Sequence, residues 1–346
     1  MSFPTQPEEL TASWLSDVLA EAVEDFTVER FGEGAGIIGQ VTRVHLHTPV
    51  GSRSIIAKFA SPSPDNRAVA AMYDMYGREV DFYNSVASHI DLRVPTCYFA
   101  EIERQDQSFV ILMEDLADMR IGDQVKGCSE TEAVMVVEGM ARLHASLWDP
   151  DIELVSHNNP TQRDGMIGGF QMGWPVVSQQ FPDLMPDEAD RVAAAVPNVV
   201  GTLLRRMTEP PVSITHADVR LDNVFFSEDG IALVDWQSVC TSAPEQDLAY
   251  FVTQSLTDEV RNARDWVALY HQTLIDQGIE DYDLNRCRQR YRVCALYLLC
   301  YAATIAGTLD LGNERGLQLG RTLFGNCIRS LRELDGFDLL FKLSGN

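Results

Sequence analysis

The sequence predicts an α+β fold of two lobes, a small lobe built on an antiparallel sheet and a large lobe that is mainly helical. Three observations predict it. The chain has 346 residues, enough for two domains at about 150 residues each. Between Thr27 and Phe59 the apolar pattern is that of short β-strands, and from residue 258 to residue 335 it is helical throughout. We place the lobes at residues 1–115 and 116–346.

The small lobe begins with a predicted helix and continues as a sheet. Thr5 and Glu8 form a capping-box pattern ahead of apolar residues at helical spacing. Three antiparallel strands follow in the runs VERF, QVTRVHLH and SIIAKFA, which glycines and the turn TPVGS separate. Residues 68–90 carry apolar side chains on one face and predict a single long helix, after which FVILMEDL predicts a buried strand.

The large lobe is predicted to be helical apart from two short β regions. Ser129 and Glu132 form a second capping box, which predicts the start of a helix. Residues 151–186 are rich in Gly, Pro, Asn and Gln and predict an irregular insertion around short helices. VSIT predicts a strand, and VFF and IALV predict a hairpin through the turn SEDG. The most apolar run, residues 293–307, is shorter than the ~20 residues of a membrane span and predicts a buried helix.

The charge balance argues against two classes of partner. The chain has 27 basic and 51 acidic residues, a formal net charge of −24, which repels phosphate backbones and anionic lipid head groups. We therefore expect neither a nucleic acid nor a membrane as partner. The first residues lack the basic region of a signal peptide, and the seven cysteines contain no CxxC pair, so we expect a cytoplasmic protein with reduced thiols.

A glycine-rich stretch is the first candidate for ligand binding. Gly34, Gly36 and Gly39 form GxGxxG, but the pattern that follows is a strand, whereas a dinucleotide fold needs a helix there. With Val41 the motif becomes GxGxxGxV, which in kinases folds over the phosphates of ATP as a strand–loop–strand hairpin. A glycine-rich hairpin that binds no ligand is the alternative.

A lysine follows at the end of the next apolar strand. Lys58 lies seventeen residues after Val41 and is one of only three lysines in the chain. In a sequence that otherwise uses arginine, this choice indicates that a compact ammonium group is needed to contact two phosphates. Glu79, within the next helical segment, is a plausible carboxylate partner. The alternatives are a lysine that reaches solvent and an exposed helical glutamate.

The strongest motif lies between residues 215 and 235. The segment THADVRLDN, followed by VDW, has the form HxDxxxxN…D, with Asp235 twelve residues after Asn223. Phosphoryl transfer needs an oxygen acceptor that orients the attacking hydroxyl and oxygen ligands that hold Mg²⁺ against the phosphates. Asp218, Asn223 and Asp235 meet these needs in the required order.

Together these motifs resemble a known superfamily. They are REVDFYN, ILMEDL, ARLHASLW, HADVRLDNVFF, LVDWQ and DLAYF. In this order, between about residue 30 and residue 255, they resemble the aminoglycoside phosphotransferase and choline kinase superfamily, most closely its ecdysteroid-kinase-like and related bacterial branch. The resemblance implies a bilobal protein-kinase-like fold with MgATP between the lobes.

The resemblance also implies a role for each matched residue. Asp218 would be the catalytic base, Asn223 and Asp235 the Mg²⁺ ligands, Lys58 with Glu79 the group that holds the α- and β-phosphates, and Met113, Glu114 and Leu116 part of the hinge whose backbone meets adenine. Arg220 would contact the γ-phosphate, His216 would support the catalytic loop, and Asp247 would brace it.

Two positions depart from the related patterns, and one motif is misleading. Ala217 stands where the superfamily usually has glycine, and Trp236 and Gln237 replace the Phe and Gly of protein kinases. Residues 243–245 read APE, but they begin only eight residues after Asp235, too few for an activation loop that binds a peptide. We therefore expect no protein substrate.

The sequence thus predicts a kinase that transfers the γ-phosphate of ATP, with Mg²⁺, to a hydroxyl group of a small molecule. Residues 151–200 contain seven acidic and two basic residues, so we expect a neutral or cationic acceptor. Two alternatives are a non-catalytic pseudokinase that only binds nucleotide and, with less support, an oxidoreductase that uses the glycine motif. His45 and His47 are interpreted as a solvated strand face, and His144 as a core histidine.

Overall fold

The computed structural model describes residues 3–31, 38–152, 154–308 and 311–345. The chain divides into two units. The first contains Met1–Ser88, Arg93–Met119 and the short return segment Val234–Ser238, and the second contains His89–Leu92, Arg120–Leu233 and Val239–Asn346. The return segment brings residues from late in the chain into the first unit.

An antiparallel sheet forms the first unit. In the described part of the chain its strands are β1 (Asp25–Arg30), β2 (Gly39–Thr48), β3 (Gly51–Ala60), β4 (Cys97–Glu103) and β5 (Ser108–Glu114). Their order in the sheet is β1-β2-β3-β5-β4, with every neighbouring pair antiparallel. The three predicted strands are therefore confirmed. Ile55, Ala57 and Phe59 alternate along β3 and are fully buried, as expected for the face of a strand that covers a core.

The helices of the first unit differ from the prediction in one respect. They are α1 (Ala12–Leu19), α2 (Pro64–Met72) and α3 (Met75–Ser85). The single helix predicted over residues 68–90 is wrong, because the chain breaks between α2 and α3, where Asp74 adopts a left-handed conformation with φ of +50°. Aspartate tolerates this conformation better than most residues. Thr11, and not Thr5, caps α1, since its side chain accepts a hydrogen bond from the main-chain N–H of Trp14.

The second unit is mainly helical. Its helices are α4 (Glu130–Ser146), α5 (Pro160–Gln180), α6 (Ala189–Met207), α7 (Glu245–Tyr250), α8 (Asp258–Ala263), α9 (Trp266–Asp276), α10 (Leu284–Thr308), α11 (Glu314–Glu333) and α12 (Gly336–Ser344). A π-helical turn, Phe251–Ser255, directly follows α7. The capping box predicted at Ser129 and Glu132 is confirmed at the start of α4.

Short strands in the second unit hold the loops that carry the polar motif. They are β6 (Arg120–Ile121), β7 (Ser213–Thr215), β8 (Val224–Ser227), β9 (Gly230–Leu233) and β10 (Cys240–Ser242). β8 and β9 form the predicted hairpin, β6 pairs with β8, and β7 pairs with β10. Residues 216–223 therefore run from β7 to β8, with a 3₁₀ turn at Leu221–Asn223.

The predicted irregular insertion over residues 151–186 is wrong, because most of it forms α5. Asn159 caps this helix and Pro160 occupies its first position, where the absent N–H of proline costs nothing. A Cβ atom at Gly173 would overlap the main chain of Ala303 in α10. The glycines that suggest a loop in the sequence instead allow two helices to approach closely, so packing overrides the local preference for a turn.

Helix α10 is the buried helix predicted from the apolar run near its C-terminal end. Among the described helices, it is the one with the length and apolar composition that could cross a membrane. Within this unit, however, 67% of its most apolar window is buried, because the helix packs against α5, α6, α7 and α11. Such burial is typical of a core helix.

Candidate active site

The first unit contains a lysine held by two carboxylates. The ammonium group of Lys58 donates hydrogen bonds to both carboxylate oxygens of Glu79, at 2.6 and 2.8 Å, and to Oδ1 of Asp235, at 2.9 Å. The side chain of Glu79 is 2% exposed, while that of Asp235 is 24% exposed. Glu79 is thus the buried anchor, and Asp235 is the member that solvent or a ligand can reach.

The charge of Lys58 is maintained by these partners. Burial alone would lower the pKa of Lys58, but the negative charges of Asp235 and Glu79 outweigh it and raise the pKa above the ordinary value of 10.5. Lys58 therefore stays protonated at neutral pH.

Local structure explains why Lys58 points away from the sheet core. Lys58 pairs with Val41 of β2 and Ile111 of β5, and its neighbours Ala57 and Phe59 occupy the opposite face of β3. Successive side chains of a strand alternate between faces. The alternation that buries Ala57 and Phe59 in the sheet core therefore directs Lys58 toward α3 and Glu79.

The return segment is attached to α3 at two points. The main-chain N–H of Trp236 donates to Glu79 at 3.3 Å. The indole ring of Trp236 stacks on Phe82, with ring centroids 3.8 Å apart and an angle of 8° between the rings. Glu79 and Phe82 are three residues apart and so lie on the same face of α3. The tryptophan that replaces the phenylalanine of protein kinases is thus fully buried and positions its neighbour Asp235.

Asp235 adopts a left-handed conformation that is uncommon for residues with a Cβ atom, although aspartate adopts it more often than most. Its φ is +70°, in the left-handed region that costs about 1–2 kcal/mol for a residue with a Cβ atom. Oδ2 accepts a hydrogen bond from Gln237 at 3.2 Å, in addition to the bond between Oδ1 and Lys58. Strained residues of this kind are concentrated at functional sites.

The predicted hinge lies at the end of β5 and beyond it. The main-chain N–H of Glu114 donates to the carbonyl of Thr96, and the carbonyl of Leu116 accepts from Met119. These two groups are already bonded, so a base bound along this segment would use other main-chain groups. The hydroxyl of Tyr83 lies 3.7 Å from the sulfur of Met113.

The glycine motif is described only at its last position. Gly34 and Gly36 lie outside the described residues. Gly39 begins β2, where a Cβ atom would lie 3.3 Å from the carbonyl oxygen of Phe59, a close contact that favours glycine. A strand and not a helix starts at Gly39, so the oxidoreductase alternative has no support here.

The second unit contains the loop that carries Asp218. One carboxylate organises its start, because the oxygens of Asp247 accept the main-chain N–H groups of His216 and Ala217, each at 2.8 Å. His144 lies on the other side of Asp247, 3.1 Å from Oδ2, and its second ring nitrogen is 2.7 Å from the hydroxyl of Tyr270. Asp247, His144 and His216 are all fully buried. His144 is therefore the core histidine that the sequence predicted, and it also holds the carboxylate that braces the loop.

The side chain of Asp218 is surrounded by polar groups. The amide nitrogen of Asn223 donates to the main-chain oxygen of Asp218 at 3.0 Å and to Oδ2 at 3.2 Å. The hydroxyl of Tyr301 lies 3.5 Å from Oδ1. His216 accepts a hydrogen bond from the main-chain N–H of Asp218 at 3.2 Å. Asp218 is 7% exposed, so this loop presents a nearly buried carboxylate in a defined orientation.

A partly buried arginine and two tyrosines surround the same carboxylate. Burial alone would lower the pKa of Arg220, but the charge of Asp218, 3.8 Å away, raises it, so the guanidinium stays charged. Its Nε makes no hydrogen bond to a described residue. Burial raises the pKa of Tyr250 and of Tyr301, and the charge of Asp218 raises both further. The tyrosines therefore remain neutral hydrogen-bond donors.

The structure groups the sequence-predicted residues into two sets and adds residues that the sequence did not indicate. Lys58, Glu79 and Asp235 meet in the first unit, and the second unit contains a set made up of His216, Asp218, Arg220, Asn223 and Asp247. Tyr250 could have been found, because it lies three residues after Asp247 on the same helix. Tyr301 gives no local signal, since it lies within the apolar helix α10.

The donor atoms fit a magnesium ion. Among the described residues, no group of three or more His, Cys, Asp or Glu side chains is placed to hold a metal by itself. Mg²⁺ in phosphoryl-transfer sites uses one or two protein oxygens together with phosphate and water oxygens. In the second unit, the hydrogen bonds of Asn223 to Asp218 use its amide nitrogen, so its amide oxygen remains as a donor of the type that such an ion takes. In the first unit, Asp235 supplies a partly exposed carboxylate.

A sheet unit with a Lys–Glu pair and a helical unit with an HxDxxxxN loop define the class of kinase-like phosphotransferases. The chain belongs to the phosphotransferase enzyme family, whose family model matches residues 39–292. The resemblance found in the sequence is thereby confirmed. No curated protein matches the chain in sequence.

Solved structures with the same fold confirm the predicted fold class. Choline kinase from Cryptosporidium parvum Iowa II is 11% identical with a TM-score of 0.59, over 99% of this chain and 96% of that one. Plasmodium vivax ethanolamine kinase is 11% identical with a TM-score of 0.55, over 93% and 87%. A microcompartment-associated aminopropanol kinase is also 11% identical with a TM-score of 0.55, over 94% and 99%. At this identity the similarity establishes the fold alone.

Proposed function

We propose that this phosphotransferase moves the γ-phosphoryl group of ATP to a hydroxyl group of a small, neutral or cationic molecule. The observation that carries the proposal is the pair formed by Lys58 and Glu79, with its two hydrogen bonds of 2.6 and 2.8 Å. Kinases need this pair intact to hold the α- and β-phosphates of the nucleotide. The burial of Glu79 means that the pair is formed before any ligand binds.

In the proposed reaction, Asp218 accepts the proton of the attacking hydroxyl. The hydroxyl oxygen forms a bond to the γ-phosphorus as the bond to the bridging oxygen of ADP breaks. Asn223 and Tyr301 hold the carboxylate of Asp218 in one orientation, which favours a single direction of attack. Arg220, charged and close to Asp218, offers its guanidinium to the transferred group.

Magnesium would neutralise the charge of the phosphates when it is bound by Asn223 and Asp235. Lys58 contributes a positive charge of its own to the α- and β-phosphates. Since Lys58 already bonds to Asp235, the lysine also keeps this carboxylate oriented before the ion arrives.

The acceptor is proposed from chemistry rather than from a pocket. The three solved structures named above are kinases of choline, ethanolamine and aminopropanol, which are amine alcohols. The acidic residues of 151–200 support a cationic acceptor less than the sequence suggests, because Asp164, Asp183 and Glu188 each form an exposed ion pair with arginine.

We expect no nucleic acid, membrane or protein as acceptor. None of the seven cysteines, all of which lie among the described residues, forms a disulfide, and most are buried, which supports a cytoplasmic location.

The proposal is tested by ADP release from MgATP against a panel of aminoglycosides, macrolides, choline-like amines, sugars and sterols. Asp218→Asn should lower kcat by about 10²–10⁴, the usual contribution of a positioned general base, with little change in ATP affinity. Asp229→Asn, at the exposed turn between β8 and β9, is the matched control and should keep full activity.

Three outcomes would count against this function. Equal turnover in Asp218→Asn and the unmodified protein would show that Asp218 is not the general base. An alcohol that carries a carboxylate or phosphate group is included in the panel, and its efficient phosphorylation in preference to every neutral or cationic compound would refute the proposed acceptor. Nucleotide binding without turnover on any acceptor would favour the pseudokinase alternative.

A further inference from the structure

Gln124 is a fully buried glutamine between β6 and α4 that uses both ends of its side chain. Its amide oxygen accepts hydrogen bonds from the main-chain N–H of Leu221, at 2.8 Å, and from the hydroxyl of Ser255, at 3.0 Å. Its amide nitrogen donates to the carbonyl of Gln254 at 2.9 Å. Its main-chain N–H donates to Asp222 at 3.0 Å. A glutamine side chain offers two N–H donors and one oxygen acceptor, so one residue joins two separate segments.

The first of these segments is the 3₁₀ turn Leu221–Asn223. Gln124 bonds to Leu221 and Asp222, and the next residue, Asn223, bonds to both the main chain and the carboxylate of Asp218. A shift of this turn therefore moves Asn223 and changes the orientation of Asp218. This turn lies at the end of the loop, and the bonds that Asp247 makes lie at its start.

The second segment is the π-helical turn Phe251–Ser255. A π-turn joins residues five positions apart and is frequent at functional sites. It brings positions 250 and 255 onto one face, whereas an α-helix would separate them by about 140° of rotation. Ser255 reaches Gln124, and Tyr250 packs edge-to-face on Tyr301, the tyrosine beside Asp218. The π-turn and the residue before it, Tyr250, therefore contact two residues that flank the catalytic loop, Gln124 and Tyr301.

The side-chain amide of Gln254 does not stabilise the π-turn. Gln254 is fully buried, and neither polar atom of its side-chain amide has a hydrogen-bond partner among the described residues. A buried polar group without a partner costs about 1–3 kcal/mol. Bonds from outside hold the turn, and they reach the carbonyl of Gln254 from Gln124 and from Asn326 of α11.

We propose that Gln124 is a positioning residue for phosphoryl transfer, which sets the catalytic loop against the π-turn and so orients Asn223 and Asp218. The inference rests on the proposed function, because it takes Asp218 and Asn223 as reacting groups. Gln124 touches neither of them, and acts through Leu221 and Asp222.

Asn326 provides a matched control within the same network. It is a buried amide that donates to the same carbonyl of Gln254, at 3.1 Å, and to that of Leu256, and its oxygen accepts from Arg329. None of these three partners belongs to the catalytic loop. Replacing it removes a comparable bond from the π-turn. A difference between the two positions therefore isolates the link to the loop.

The experiment compares Gln124→Leu with Asn326→Leu by ADP release from MgATP and the best acceptor of the panel above. Gln124→Leu should lower kcat by about 10–100-fold while the KM for ATP changes by less than about threefold, because a misplacement near 1 Å can cost about 10²-fold in rate. Asn326→Leu should keep kcat within about threefold. Unchanged kcat in Gln124→Leu, or equal losses in both variants, would overturn the inference.

A milder pair covers the case in which a leucine variant does not fold. Gln124→Met keeps the length of the side chain but removes the oxygen that accepts from Leu221 and the donor to Gln254, whereas Asn326→Ala removes only bonds that do not reach the catalytic loop. We expect kcat to fall at least about fivefold in the variant at Gln124 and less than about twofold in the variant at Asn326. Equal effects at the two positions would refute the role of Gln124. Asp218→Asn, measured alongside, separates the two claims. If it retains full turnover, the proposed function fails, whatever the glutamine variants do.

Discussion

Asp247 accepts the main-chain N–H of Ala217 at 2.8 Å, and Ala217 has a φ of +62°. A left-handed alanine costs about 1–2 kcal/mol, while a hydrogen bond to a charged group contributes about 1.5–3 kcal/mol. The carboxylate can therefore offset the strain of the residue it holds. The loop before Asp218 keeps its conformation because of Asp247, and this explains how alanine replaces the glycine usual at this position.

Ala217→Gly should remove this strain. Glycine adopts positive φ without cost, but it also gains about 0.4–1 kcal/mol of conformational freedom in the unfolded chain. The free energy of unfolding should therefore rise by about 0–1 kcal/mol, with kcat within about twofold of the original. Urea unfolding measures this, and a loss of more than about 1 kcal/mol would show that Ala217 is not strained.

Lys58→Arg should disable the first unit's site although it keeps the positive charge. The planar guanidinium is larger than an ammonium group and does not present a point charge to two carboxylates. Lys58 lies between Glu79 and Asp235 and its side chain is only 11% exposed. We expect kcat/KM for ATP to fall by at least about 10²-fold, since the misplaced cation no longer meets the α- and β-phosphates.

Lys342→Arg is the control for this change. Lys342 lies on the exposed face of α12, so its replacement should leave kcat/KM unaltered. Similar activity in the two arginine variants would mean that Lys58 is not a nucleotide ligand.

The pH dependence of ATP binding follows from the raised pKa of Lys58. A raised pKa in the folded protein stabilises the charged form, and this contribution is complete below the unfolded value of 10.5 and is lost only as the pH rises through the higher folded value. Lys58 should therefore contribute equally at pH 7 and at about pH 9.5. We expect a flat KM for ATP across this interval, at constant ionic strength. The prediction would be contradicted if the KM for ATP rose with pH, with an apparent pKa below about 9, in the unmodified protein but not in Lys58→Arg.

Removal of the metal should weaken nucleotide binding through Asp235. Calorimetry with MgATP, and with ATP in the presence of EDTA, measures the part of the affinity that depends on the ion. This difference should disappear in Asp235→Ala, because the variant lacks the carboxylate that would bind Mg²⁺. The control variant Asp229→Ala should retain the difference in affinity between MgATP and metal-free ATP. A metal effect that persists in Asp235→Ala would limit Asp235 to its bond with Lys58.

The sequence by itself determined the family, the fold class and the candidate residues of both units. All three follow from local patterns. A strand lysine, an HxDxxxxN loop and a strand-end aspartate are each short motifs, and their order and spacing along the chain can be read directly from the sequence. The alternation of Ala57, Lys58 and Phe59 is a property of one strand, and so it is visible in the sequence. The roles of these residues remain predictions that the experiments above address.

The tertiary structure alone decided the features that depend on packing between distant segments. The break at Asp74 and the helix over Pro160–Gln180 were missed, the second because Gly173 serves a close approach to Ala303 that is 130 residues away. Tyr301 and Gln124 have no local signal, because their partners Asp218 and Ser255 lie 83 and 131 residues away along the chain. Local propensity is a weak force, and the close packing of buried segments overrides it. For that reason the reacting groups could be proposed from the sequence, whereas the residues that hold them in position could not.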